Sequence, residues 1–112
     1  MTHDSSEKPV PPPMASNLAE NPSFRPILEK YVAQLPQMIE QLELAREQAD
    51  RETLNSITHR LKGTAANYGF ANITETARSY QEQLREGAEL SDIAPLLDTL
   101  LDQLREAVRQ FK

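Results

Sequence analysis

At 112 residues with no cysteine, the chain is long enough for one modest core, and it carries no disulfide or thiolate metal site. Its 17 acidic residues outweigh 12 basic ones, and with a net charge of −5 nothing suggests nucleic acid, which would call for a basic face. No apolar run approaches the ~20 residues of a membrane span and no apolar stretch follows the N-terminal charges as in a secretory signal, so a cytoplasmic protein is expected.

Residues 1–17 hold four of the eight prolines and almost no large apolar side chain. Such a segment cannot bury enough surface to offset the entropy of ordering it. Residues 1–20 are therefore expected to form a flexible, Pro-rich N-terminal tail, and 21–112 the folded domain. His3 is read there as an idle imidazole, and Pro11-Pro12-Pro13 as a spacer rather than a polyproline ligand. Leu18-Ala19-Glu20 can add a short helical turn. From Phe24 the pattern turns helical: Ile27, Leu28, Tyr31, Val32, Leu35, Met38, Ile39, Leu42 and Ala45 recur at spacings of three and four. Pro22 and Pro26 suit the approach and the first turn. Pro36 removes a backbone bond within the pattern, so a kink or a break belongs there, and the unbroken phase of the stripe favours a kink.

Asp50 is the expected N-cap of the second helix, with Glu52 in its first turn. At about 100° per residue, Leu54, Ile57, Leu61, Ala65 and Tyr68 share one apolar stripe. His59 falls about 140° from Leu54, nearly opposite the stripe, with Lys62 at about 80° and Gly63 at about 180° on either side. The helix presents one imidazole to solvent, an ammonium about one turn away, and a gap in the side-chain cover beside it. Gly69 is the expected left-handed stop. Asn72 and Glu75 read as a capping box for the third helix, which buries Ile73, Ala77, Tyr80 and Leu84 and closes at Gly87. Ser91 or Asp92 is the expected cap of the last helix. Pro95 lies in its first turn, and its stripe runs through Ile93, Leu97, Leu100, Leu101, Leu104, Val108 and Phe111. Four amphipathic helices with short connections and no strand-like alternation predict an all-α, antiparallel, up-down four-helix bundle.

His59-x-Leu61-Lys62-Gly63-Thr64, followed by Gly69, resembles the signature of the histidine phosphotransfer (HPt) domain of two-component phosphorelays. The likeness covers Phe24 to Phe111 and leaves 1–23 outside. It implies that His59 accepts a phosphoryl group from a receiver-domain aspartate and passes it to another. Phosphoryl transfer is mostly positioning and charge stabilisation, and Lys62 offers a cation to the phosphoryl oxygens. Gly63 costs about 1 kcal/mol against alanine in a helix interior, and the missing bulk would let a partner's active site close over the imidazole. The resemblance implies that the residue about 22 positions after the family's histidine lies beside the imidazole; here that is Gln81, whose amide can hydrogen-bond the imidazole or a water next to it, with Arg85 one turn on to add positive charge. Two solvated surface residues are the plain alternative for that pair. Asn55, Ser56, Ala66 and Asn67 are candidates for the surrounding docking surface.

The resemblance also implies that the receiver brings the acidic pocket and Mg²⁺, so no cofactor or metal of the chain's own is expected. Without a Gly-rich phosphate loop, the chain is expected to be a carrier rather than an enzyme, neither binding ATP nor phosphorylating itself. Its expected partners are response-regulator receiver domains or a hybrid histidine kinase, engaged by a monomer. Two other readings compete. One is a phosphotransfer domain excised from a chemotaxis-type or hybrid kinase; Gln81 weighs against the chemotaxis type alone, whose domains tend to carry glutamate there. The other is a non-catalytic helical adaptor bundle, which has no need of Gly63.

Overall fold

The computed structural model describes residues 24–111. The expected tail over 1–20, with His3, the prolines and the turn at Leu18, lies outside the described residues. Five α-helices follow in order: α1 (Arg25–Val32), α2 (Leu35–Glu47), α3 (Arg51–Thr64), α4 (Ala71–Arg85) and α5 (Ala94–Gln110), with a 3₁₀ turn (Ala65–Tyr68) between α3 and α4. There is no strand among the described residues. Helices α2 to α5 pack in a ring, α2 on α3, α3 on α4, α4 on α5, and α5 back on α2. Short connections make successive members antiparallel, which is the expected four-helix bundle.

Pro36 breaks the first helix rather than kinking it. Ala33 and Gln34 form a two-residue turn, and the helix restarts at Leu35 with Pro36 in its first turn. A proline is tolerated there because its missing N–H would have no intrahelical partner. Ala33 and Gln34 both keep right-handed dihedrals, so Leu28, Tyr31, Val32, Leu35, Met38 and Leu42 stay buried across the break. Ile27, expected in that stripe, lies at its edge and is 51% exposed.

Gly87, at φ 89°, follows the end of α4 as expected; Gly69, at φ 90°, is the expected left-handed stop but closes the 3₁₀ turn, because α3 itself tightens at Thr64 instead of running on to Tyr68. Two cap expectations do not hold. Helix α4 starts before Asn72, with Phe70 in the capping position and no side-chain cap bond, while Glu75 pairs with Arg78 instead. Phe70 is fully buried with its ring edge-on to Phe111 at 6.2 Å, and its carbonyl takes the first bonds of α4 from Ile73 and Thr74. Packing thus sets that start. Helix α5 is capped by Ile93, not Ser91 or Asp92: Ile93 is 2% exposed and anchors a turn in which its N–H reaches Glu89. Along α5, Ala107 joins the fully buried stripe, and Val108 and Phe111 pack against it half-buried.

Candidate functional site

Helix α3 is fixed at both ends. At its start the Asp50 carboxylate accepts from the Thr53 N–H at 3.1 Å and from the Thr53 hydroxyl at 2.7 Å, which holds its pKa below the usual carboxylate value. Along it, Leu54, Ile57, Leu61 and Ala65 are buried. Thr58, also in the stripe, is fully buried and satisfies its hydroxyl by donating to the Leu54 carbonyl at 2.8 Å. At its end the Thr64 hydroxyl donates to the Arg60 carbonyl at 2.8 Å, which leaves its oxygen to accept from Tyr31 Oη at 3.0 Å. The Tyr31 ring stacks on Tyr68 with centroids 4.0 Å apart. Burial raises the Tyr31 pKa, so this clamp holds as a protonated phenol.

Between these anchors His59 is exposed, as its phase predicts, and no hydrogen bond or ion pair among the described residues engages its imidazole. Lys62 is half-buried and Gly63 exposed. Beyond its chain neighbours and its own helix backbone, a methyl group built on Gly63 would meet no heavy atom within 4 Å, so the glycine leaves open space on the face that carries the imidazole.

The α4 side differs from the sequence reading. Gln81 is not a solvated surface residue: it is 3% exposed, and its Nε2 donates to Asn55 Oδ1 at 3.1 Å. A buried amide needs a partner, and Asn55 supplies it one turn before His59. A second bond, from Arg51 Nη2 to the Leu84 carbonyl at 2.9 Å, sets the same register. With Asn55 opposite Gln81 and Arg51 opposite Leu84, Arg85 lies level with the first turn of α3. It is exposed and sits farther from His59 than Gln81 does. The four candidate docking residues divide as well. Asn55 is turned to α4, exposed Ser56 borders a groove with Gln41, Leu44 and Arg60 on the α2 side, and Ala66 and Asn67 are exposed on the 3₁₀ turn. Periodicity within one helix carries no register between helices, so the Asn55–Gln81 pair was not legible beforehand.

Charge is distributed unevenly. Residues 53–74 contain no Asp or Glu in a chain with 17 of them. Among the described residues, Arg60, Lys62 and Arg85 have no carboxylate partner, whereas Arg25, Arg46, Arg78, Arg105 and Arg109 each do. No cluster of three His, Asp or Glu able to hold a metal ion occurs among the described residues. Nor is any helix there long and apolar enough to cross a membrane.

Fold and site define a helical bundle that displays one unbonded imidazole on an acid-free stretch of its outer face. The chain belongs to the Hpt domain family, whose model matches residues 26–111. Domains of this family are phosphotransfer carriers, not kinases, and they interact with receiver domains in phosphorelays. Comparison with curated proteins and with solved structures finds no match.

Proposed function

We propose that His59 is the phosphorylated residue and that the chain relays a phosphoryl group between receiver domains as a cytoplasmic monomer. A ring nitrogen of neutral His59 attacks the phosphorus of a receiver's aspartyl phosphate. The N–P bond forms as the P–O bond to the aspartate breaks, and the carboxylate leaves with the electron pair. The reverse step hands the group to a second receiver. Mg²⁺, held by the receiver, offsets charge on the phosphoryl oxygens. Lys62 adds a cation to the phosphorylated state, Gly63 leaves room for the receiver, and Gln81 holds the α3–α4 flank through Asn55. Arg85 contributes positive charge from farther along that flank. The chain is a carrier and takes no phosphoryl group from ATP.

The observation that carries this reading is the exposed, unbonded His59 on a helix anchored at both ends, in a chain of this family. The test is incubation with phosphorylated candidate receivers, following the label. Wild type should acquire acid-labile phosphate and His59→Gln should not, with unchanged thermal stability. Label retained by a variant lacking both His59 and His3 would refute the assignment.

A further inference from the structure

The register of α3 against α4 brings one more cation to the level of His59. Gln81 pairs with Asn55, and Arg51 reaches the Leu84 carbonyl, so the helices run antiparallel with those positions opposed. One turn further along α3 from Asn55 lies His59, and one turn back along α4 from Gln81 lies 77–78. Ala77 is fully buried and points into the core. Arg78 is next to it on the outer edge, about 60° around α4 from Gln81 and on the same flank. Helical side chains lean toward their own N-terminus, which in antiparallel α4 carries the guanidinium of Arg78 toward the level of His59 and Lys62.

Arg78 is presently engaged by Glu75, its Nη1 lying 2.6 Å from Oε1, with the two side chains 42% and 66% exposed. An exposed pair of this kind on one helix holds weakly and exchanges readily. We infer that Glu75–Arg78 is a reserve-cation pair: Arg78 leaves Glu75 for the phosphoryl oxygens when a docked receiver excludes water, and Glu75 restrains it until then. The inference rests on the phosphotransfer reading. It makes Arg78 a further contact to the transferred group and Glu75 a residue that tunes the rate through Arg78.

Opposite signs distinguish this from a plain helix-stabilising ion pair. Transfer from one phosphorylated receiver is timed for wild type, Arg78→Ala, Arg78→Lys and Glu75→Gln, at low and high salt, with helicity checked for each. Arg78→Ala should slow transfer by about three- to tenfold, Arg78→Lys should recover part of the rate, and Glu75→Gln should accelerate it. These differences should shrink as salt rises. Both single losses slowing transfer alike, or either leaving it at the wild-type rate, would overturn the inference while leaving His59 phosphorylation standing. Absence of label from wild type itself would instead overturn the reading beneath it.

Discussion

Replacing Gly63 separates what the fold wants from what the reaction wants. Gly63 lies in the last turn of α3, where the chain continues directly into a 3₁₀ turn, so it is conformationally interior. Alanine there gains about 0.4–1 kcal/mol by restricting the unfolded chain. Clash would be the usual offset, but beyond its chain neighbours and its own helix backbone a Cβ at Gly63 meets nothing within 4 Å. Gly63→Ala should therefore raise the melting temperature by about 2–6 °C. One methyl group in open space should leave phosphotransfer within about twofold of wild type, since a factor of two is only ~0.4 kcal/mol of barrier. Gly63→Gln adds a long side chain four residues from His59, where helix neighbours meet. It should keep the stability gain yet slow transfer by about tenfold or more, equivalent to ~1.4 kcal/mol. Calorimetry and label-transfer kinetics with a single receiver read the two quantities separately. A lower melting temperature for Gly63→Ala would mean that the backbone needs glycine there. A wild-type rate for Gly63→Gln would mean that no partner surface approaches this point.

Lys62→Ala should leave the melting temperature within about two degrees but slow transfer by about tenfold, with Lys62→Arg restoring part; a full rate in the alanine variant would refute a role for the ammonium. Gln81→Ala orphans the half-buried Asn55 amide and should cost about 1–3 kcal/mol in urea denaturation; a cost indistinguishable from zero would show that the pair does not hold α3 to α4. Asp50→Ala should destabilise and Asp50→Asn much less, because an asparagine oxygen still caps Thr53. The Asp50 carboxyl has its folded pKa depressed below 3.8, so its contribution is present above that value and lost as pH falls through the folded pKa. The wild-type advantage over Asp50→Ala should therefore shrink on acidification; an advantage that grows would refute the cap.

What was legible in the chain was what one helix can encode by itself. Leu54, Ile57, Leu61 and Ala65 set the phase of α3, and that phase alone placed His59 in solvent. Asp50, Gly69 and Gly87 act locally and were readable as a cap and two stops. Apolar phase could not tell a kink from a break at Pro36, because a turn that keeps right-handed dihedrals preserves the stripe either way. Asn72 lost the capping position to a buried aromatic, and Ser91 and Asp92 lost it to a buried isoleucine, both tertiary effects overriding local preference. Ala49 adopts φ 54° between α2 and the Asp50 cap, a left-handed position that nothing in its identity announces. Gln81 and Arg85 share a flank of α4 in projection, yet one is buried against Asn55 and the other exposed beyond it.

The acid-free stretch gives that placement a physical reason. On the proposed reading a receiver brings clustered carboxylates and a phosphoryl group to within a few ångströms of His59. Two like charges 4 Å apart repel by about 4 kcal/mol at an effective dielectric of 20, enough to erase a transient encounter. A protein that needs net negative charge for solubility must then keep its acids away from this one surface. The acids bordering the stretch are Glu52 and Glu75. Glu52 sits in the first turn of α3, where the helix dipole favours it and two turns separate it from His59. Glu75 is nearer in register, and it carries its own cation in Arg78. On the reserve-cation inference, its charge is masked while the surface is free and exposed only when Arg78 turns to something more negative. That makes the pair the point at which solubility and docking place opposing demands on the same few residues.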